Sequence, residues 1–290
     1  MPDRAVLPFA MAFLANFILG VSSIYWSLFA ELPPVVLVGV RIVLSLVVLA
    51  SVVGYLVWSR KSRLGVLSTR IVALHVVAAV LVAVNWGTFI WASIHGTVLE
   101  SGLGYLLAPV FLMIVAQLLP QEARSRLEIG CIAVITLSLG ILVMVSGGLE
   151  HWVYWTIGLT WGGYTLLKKQ TPLSPIEGLF IETAALTGIL IAVLGLLDTG
   201  AHVAHLSGIT MHGWLWTAGL VSVAPLVMFA FAARALTAFS MGALQFVLPT
   251  TQLAVSYAYF GQLASPATYA AFAVIWLALG VVTFTPTGRR

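Results

Sequence analysis

Among the ionisable side chains inside the long apolar segments of this chain, three charged ones are candidates for function. They are Arg41, Glu100 and Glu182. A charge held at the centre of a bilayer costs at least ~2.5–3.5 kcal/mol, so residues of this kind face a cavity or a charged partner. In such positions they are suited to ion pairing, to gating, or to loading and releasing a proton.

Each of the three charges carries its own hypothesis. We expect Arg41 and Glu100 to form a structural or gating ion pair near one membrane surface. The alternative for Arg41 is that its long side chain extends to the lipid headgroups, and the competing function of Glu100 is a proton-coupling site. Glu182 is expected to hold adjacent helices together or to contact the Lys168–Lys169 loop, with substrate binding as its alternative.

Four uncharged residues at membrane depth are candidates for lining a substrate cavity: Asn85, Trp86, Tyr105 and Gln245. Buried amides need hydrogen-bond partners, so these side chains either pair between helices or face a wet cavity. Aromatic rings combined with amide groups suit an amphipathic solute with a planar or zwitterionic part. We expect these four to line the cavity, with helix–helix hydrogen bonding as the alternative.

Two prolines, Pro109 and Pro249, fall inside apolar segments at equivalent places. A proline within a helix removes one backbone hydrogen bond and clashes with the preceding turn, which kinks the helix. In a membrane the freed carbonyl must find another partner or face water. We therefore expect helix kinks at both sites beside a central cavity, the alternative being kinks that only improve packing.

The elements that position these residues follow from the composition. The chain has 290 residues, of which 61% are hydrophobic and 8% are charged, and its mean hydropathy is +1.09. A soluble domain carries about 25% charged residues, so the fold class predicted here is an all-α polytopic membrane protein. A membrane-spanning helix needs about 20 apolar residues. Ten such spans are predicted, at 6–29, 35–58, 71–91, 99–119, 127–145, 152–167, 178–197, 213–233, 240–260 and 267–285.

The basic residues indicate how these spans are oriented. Twelve of the thirteen Lys and Arg residues lie on alternate loops, beginning before the first span and ending after the tenth. The opposite loops carry Glu31, Glu150 and Asp198 but no Lys or Arg. Short cytoplasmic loops retain basic residues, so both termini are predicted to be cytoplasmic.

A block of sequence returns 140 residues later. Residues 133–140 (AVITLSLG) reappear as 273–280 (AVIWLALG), and at the same offset Gly102 and Pro109 return as Gly242 and Pro249. Five spans separate the copies, and because five is odd the second copy must be inverted in the membrane. We predict two five-helix repeats, 1–146 and 147–290. Inverted repeats are a common construction of secondary transporters.

Other classes of chemistry lack a signal in this sequence. There is no GxxxxGK[ST] loop for ATP, and no Ser/His/Asp or paired-carboxylate arrangement, so we expect no enzymatic activity and no cofactor. His202, His205 and His212 share one external loop, but their spacing matches no standard metal site, and we expect no metal. The single cysteine, Cys131, allows no disulfide within the chain, and the loop pattern accounts for the net charge of +4 without a nucleic-acid partner.

Two neighbouring motifs resemble a known family. The chain reads NWGTFIWA at 85–92 and LESGLGYLLAP at 99–109. These stretches are similar to the NWxxFIWA and LExxLGYxxxP motifs of the RarD-type (chloramphenicol-sensitivity) permeases, in the EamA branch of the drug/metabolite transporter superfamily. Further matches are Arg41, 181–183 (IET), 245–246 (QF) and 249–250 (PT). Where that family commonly has a Pro and a Lys in the first span, this chain has Ser23 and Ser27.

The resemblance implies ten helices in two inverted halves around a central cavity. It also implies a multi-pass protein of the bacterial inner membrane that exports small metabolites or drugs, driven by a proton gradient or by the gradient of the solute. The partners are then a small-molecule substrate and the lipid bilayer, and association into a homodimer is left open. Two alternatives remain: a membrane-embedded enzyme with active groups at Arg41 and Glu100, and a passive channel.

Overall fold

The computed structural model describes residues 3–62, 64, 67–118, 126–145, 150–196 and 213–284, and all the regular structure among them is helical. The described helices are α1 Asp3–Ser27, α2 Pro34–Trp58, α3 Thr69–Ile94, α4 Val98–Leu118, α5 Arg126–Val145, α6 His151–Gln170, α7 Pro175–Leu196, α8 Ala218–Ala235, α9 Ala238–Gln245, α10 Val247–Ala258 and α11 Pro266–Phe284. A 3₁₀ turn, Gly213–Thr217, precedes α8. These helices coincide with the ten predicted spans to within a few residues at each end, with α9 and α10 together forming the ninth.

Seven of the described helices are long and apolar enough to cross a membrane, namely α1 to α5, α7, and α8 with the turn before it. Residues 266–282 of α11 form a shorter apolar helix. Large apolar side chains such as Val47, Leu137, Ile191 and Leu277 are exposed on the outside of the bundle. So much apolar surface is compatible with lipid rather than water as the surrounding solvent. The chain is therefore a multi-pass membrane protein whose regular structure is helical throughout the described ranges.

Prolines mark where several helices begin. Pro34, Pro175 and Pro266 occupy the first positions of α2, α7 and α11. At that position the missing N–H has no helical acceptor, so proline loses nothing there. Ser265 caps α11, because its hydroxyl accepts a hydrogen bond from the backbone N–H of Thr268 at 3.1 Å.

Helix α4 lies at the centre of the bundle and packs against α6, α9 and α10. The other main helix pairs are α1 with α8 and α10, α2 with α7 and α8, α3 with α6 and α7, and α5 with α11. The α4–α6 contact depends on glycine. A Cβ placed on Gly104 would lie 2.8 Å from the carbonyl oxygen of Tyr154, and one on Gly158 would lie 3.1 Å from that of Gly104. Small residues let these backbones approach closely.

The ninth span breaks where its proline requires it. Helix α9 ends at Gln245 and α10 begins at Val247. Pro249 has no N–H to donate to the carbonyl four residues earlier, which belongs to Gln245, and its ring clashes with that carbonyl. Pro109, by contrast, lies within α4, whose helix continues through it. The two prolines therefore differ in their effect on the helix.

Helix α4 and the ninth span are antiparallel. Gly102 of α4 lies against Pro249 of the ninth span, and Gly242 of the ninth span lies against Pro109 of α4. A Cβ on Gly102 would lie 3.9 Å from the carbonyl oxygen of Pro249. A Cβ on Gly242 would lie 3.3 Å from the carbonyl oxygen of Pro109. The chain direction from Gly102 to Pro109 in α4 is therefore opposite to the direction from Gly242 to Pro249 in the ninth span.

Candidate functional site

Arg41 is buried among aromatic rings rather than facing lipid. Only 3% of its surface is exposed. Its guanidinium carbon lies 4.0 Å from the centre of the Trp86 ring and 5.1 Å from that of Trp26. Tyr25 and Tyr105 are close enough to interact with it electrostatically. The positive charge is thus stabilised by cation–π contacts, and we call Arg41 with Trp26, Trp86 and Tyr105 the aromatic cage.

The ion pair expected between Arg41 and Glu100 is not formed. Within the part of the chain that the structure describes, no carboxylate forms an ion pair with Arg41. At a rise of about 1.5 Å per residue, Arg41 lies about 10 Å along α2 and Glu100 about 3 Å along α4. Arg41 is therefore farther from the start of its helix than Glu100 is from the start of α4. The alternative of an arginine extended to the lipid headgroups does not fit either, because the side chain is buried.

Glu100 instead lies at the rim of the bundle. It is half-buried in the first turn of α4, where unpaired backbone N–H groups favour a carboxylate. Its electrostatic neighbour is Glu150, the residue before α6. Two neighbouring carboxylates repel each other. A role of Glu100 in proton binding stays a prediction.

Asn85 and Tyr105 form one hydrogen-bonded unit. The Tyr105 hydroxyl donates to Oδ1 of Asn85 at 2.8 Å. Nδ2 of Asn85 donates to the Thr160 hydroxyl at 3.2 Å and to the backbone carbonyl of Ile157 at 3.4 Å. Asn85 therefore joins α3, α4 and α6. Tyr105 also packs edge-to-face against Trp161, with ring centres 5.7 Å apart.

Gln245 ends α9 at the helix break. It is 1% exposed, and neither atom of its amide has a hydrogen-bond partner. A buried amide without partners is costly. The structure thus brings Asn85, Trp86 and Tyr105 together beside Arg41, and Gln245 lies at the end of α9.

Glu182 lies at the centre of a buried cluster of four residues. Its Oε1 atom is 2.6 Å from Nζ of Lys168 and 2.7 Å from Nδ1 of His75. Its Oε2 atom accepts a hydrogen bond from the Tyr164 hydroxyl at 3.2 Å. These side chains are at most 2% exposed. Glu182 therefore ties α7 to α3 and α6, and we call these residues the Glu182 cluster.

Two members of the Glu182 cluster differ from the sequence expectation. Lys168 was expected in a loop, but α6 continues to Gln170 and buries this side chain. The last turn of a helix favours a cation, which extends α6 beyond its apolar stretch. No functional role for His75 is predicted from the sequence. The available signal was an imidazole inside a predicted span, and its ring is covered closely by Gly178.

The histidine loop with His202, His205 and His212 lies outside the described residues. Among the described residues, no group of three or more His, Cys, Asp or Glu side chains is placed to hold a metal ion.

Known proteins that are similar to this chain match it over nearly its full length. The chain is 32% identical to an uncharacterised transporter of Pseudomonas aeruginosa, covering 95% of this chain and 93% of the relative. It is 29% identical to protein RarD of Streptomyces exfoliatus, covering 93% and 87%, and 27% identical to protein RarD of Escherichia coli, covering 93% and 92%. No protein-family model matches the chain.

One solved structure shares the fold. It is described only as the crystal structure of a protein, and it aligns with a TM-score of 0.63 at 15% identity. The alignment covers 96% of this chain and 98% of that chain. The likeness concerns the arrangement of helices alone.

Proposed function

The chain belongs to the RarD-type permeases, a family of membrane transporters, and from that premise we propose that it is a secondary-active exporter of small metabolites or drugs. It works by alternating access around a central cavity in the bacterial inner membrane. The observation that carries this proposal is the reciprocal contact of Gly102 with Pro249 and of Gly242 with Pro109.

The reciprocal contact supports two inverted halves, 1–146 and 147–290. If the copies ran in the same direction, equivalent helices meeting at the centre would be parallel. They are antiparallel, as a two-fold axis in the membrane plane requires. The other helix pairs support the same axis. Under exchange of the halves, α4 with α6 becomes the ninth span with α1, and α3 with α6 becomes α8 with α1, and all of these pairs are in contact.

Contacts between loops and helix ends support the predicted orientation. On the side expected to be external, the Tyr25 hydroxyl donates to the carbonyl of Trp214 at 2.9 Å, and Gln262 donates to the carbonyl of Gly96. On the side expected to be cytoplasmic, Nζ of Lys169 donates to the carbonyl of Leu236 at 2.9 Å. Each of these contacts joins segments that the charge pattern assigns to one side. Breaking the external contacts while the cytoplasmic contact holds would open the bundle to the outside. Breaking the cytoplasmic contact while the external ones hold would open it to the cytoplasm.

The transport proposal is tested by counterflow. Purified protein is reconstituted into liposomes loaded with one candidate solute, and uptake of the same labelled solute is measured over a panel of amino acids, nucleosides, cofactors and chloramphenicol. We expect saturable uptake that overshoots equilibrium for at least one solute. A passive channel would give flux that neither saturates nor overshoots, and an enzyme would alter the solute chemically. Absence of overshoot for the whole panel would contradict the proposal.

Orientation is tested by cysteine labelling in a Cys131→Ser background. Single cysteines replace the exposed residues Lys61 and Arg126 on the expected cytoplasmic side, and Glu31 and Glu150 on the expected external side. An impermeant maleimide applied to intact cells should label only the external pair. Labelling of one residue from each pair would contradict the inverted arrangement. Lys168 is unsuitable for this test because it is buried.

A further inference from the structure

We propose that Arg41 is the binding site for the carboxylate of an amphipathic organic anion, and that such monoanions are substrates of this transporter. The inference rests on the proposed transport function and adds a substrate class to it. Its basis is a buried cation whose charge is stabilised by rings but two of whose donor atoms, Nε and Nη1, have no acceptor.

The donors of Arg41 are the first part of the argument. Its Nε and Nη1 atoms have no hydrogen-bond partner, although the residue is 97% buried. The π faces of Trp26 and Trp86 offset the charge but offer no lone pairs in the plane of the guanidinium. A buried charge left without hydrogen bonds is expensive. A site of this kind is expected to be completed by a ligand that supplies acceptors.

The charge of that ligand follows from the surroundings. Within the described residues no carboxylate forms an ion pair with Arg41, and the side chains in contact with it are the rings of Trp26 and Trp86. One positive charge is matched by one negative charge. Guanidinium and carboxylate are both planar and can share two hydrogen bonds. A carboxylate monoanion therefore fits better than a phosphate dianion, for which sites usually combine several basic groups.

The body of the ligand follows from the rings beside the cage. Tyr105 contacts Phe89, with ring centres 6.0 Å apart, and Trp161 at 5.7 Å. Trp161 in turn contacts Phe229 at 4.7 Å. These rings continue the aromatic cage along α4, α6 and α8. The rings are buried in the core of this structure, so a ligand reaches them only in another conformation of the transport cycle. There they suit a planar or apolar body attached to the carboxylate.

The test compares carboxylates with their uncharged amides. Purified full-length protein in a neutral detergent is titrated with benzoate, phenylacetate and indole-3-acetate, and with the corresponding amides, while thermal unfolding is followed. We expect at least one carboxylate to raise the unfolding temperature and to bind at least about tenfold more tightly than its amide, as a charge-assisted hydrogen bond implies. Arg41→Gln should remove this difference, and Arg41→Lys should retain part of it. Arg70→Gln, which removes an exposed arginine, is the control and should behave as wild type.

A second readout separates ligand binding from a structural role. If Arg41 only held the helices together, Arg41→Gln would lower the unfolding temperature without ligand. If it waits for an anion, removing the uncompensated charge leaves that temperature unchanged or raises it. Carboxylate binding that survives Arg41→Gln would overturn the inference, and so would a panel in which no carboxylate binds better than its amide.

Failure of this inference can be told apart from failure of the transport proposal. Counterflow of uncharged solutes that is equal in wild type and Arg41→Gln would leave transport standing and remove the anion site. Absence of counterflow for every solute would remove the transport proposal, whatever the binding experiment shows.

Discussion

Glu182 of α7 accepts a hydrogen bond from Nζ of Lys168 in α6 over 2.6 Å, at a place where both side chains are buried. His75 approaches the same carboxylate oxygen from α3. Each charge is therefore compensated within the bundle. Arg41 lies seven residues into α2, as Glu182 does into α7, yet its charge is met only by aromatic rings. The two positions thus differ: the Glu182 carboxylate has a cation as partner, whereas the Arg41 guanidinium has no carboxylate among the described residues.

We predict that breaking this pair from one side is far more damaging than removing it. Glu182→Leu leaves the Lys168 ammonium buried without its carboxylate, which should lower the free energy of unfolding by about 3–5 kcal/mol. The double variant Glu182→Leu/Lys168→Met should recover most of that loss. The measurement is a detergent-denaturant titration of purified protein, with Glu31→Gln on the surface as control. Equal stability of the single and double variants would contradict the assignment of this pair as the buried contact between α6 and α7.

The close packing of α4 on α6 predicts that alanine at Gly104 is destabilising, whereas alanine at Gly54, outside this contact, is not. A Cβ on Gly104 would lie 2.7 Å from Cβ of Ile157 and 2.8 Å from a backbone carbonyl, so Gly104→Ala forces the helices apart and should cost about 1–3 kcal/mol. Gly54 in α2 has open space around it. Gly54→Ala should therefore be neutral or stabilise by up to about 1 kcal/mol through helix propensity. Thermal unfolding of both variants decides the matter, and similar losses in the two would refute the packing argument.

The sequence predicted the helices well because their lengths and composition are imposed by the bilayer. The ends of α2, α4 and α5 lie within a residue or two of the expected ends. It could not predict which charges meet. Whether Glu100 or Glu182 finds a cation depends on how helices distant in the chain rotate and stagger. Spacing along the sequence does not fix that geometry.

The site residues show the same limit. Trp86 was expected to line a cavity, and only the tertiary structure places its ring over Arg41. Lys168 was assigned to a loop because apolar residues end before it, whereas the buried partner on α7 keeps it in the helix. His75 attracted no hypothesis because a single imidazole in an apolar segment has no local signature. In each case the deciding partner lies on another helix.

Glu100 provides a test of coupling that is independent of Arg41. It is half-buried at the rim, next to Glu150, and makes no pair with a cation among the described residues. The proton-site hypothesis predicts that Glu100→Gln reduces uptake driven by a pH gradient to background. Counterflow at equal pH on both sides should persist, because the proposed solute site is at Arg41. Glu31→Gln, which removes an exposed carboxylate on the same expected side, is the control. Full pH-driven uptake by Glu100→Gln would leave the residue without a role in coupling.

The break in the ninth span predicts a further effect on the rate of transport. Pro249 deprives the Gln245 carbonyl of its helical donor, and Pro249→Ala supplies an N–H that can join α9 and α10 into one helix. A proline in a helix interior costs about 3 kcal/mol relative to alanine, so the variant should be no less stable than wild type. If the break allows α9 to move against α4, the counterflow rate should nevertheless fall by at least about tenfold. Pro266→Ala, at the first position of α11, changes no helical hydrogen bond and is the control. Spin labels at Ser240 and Tyr257 report whether the span has straightened, and a straightened span with an unchanged rate would show that the break serves packing only.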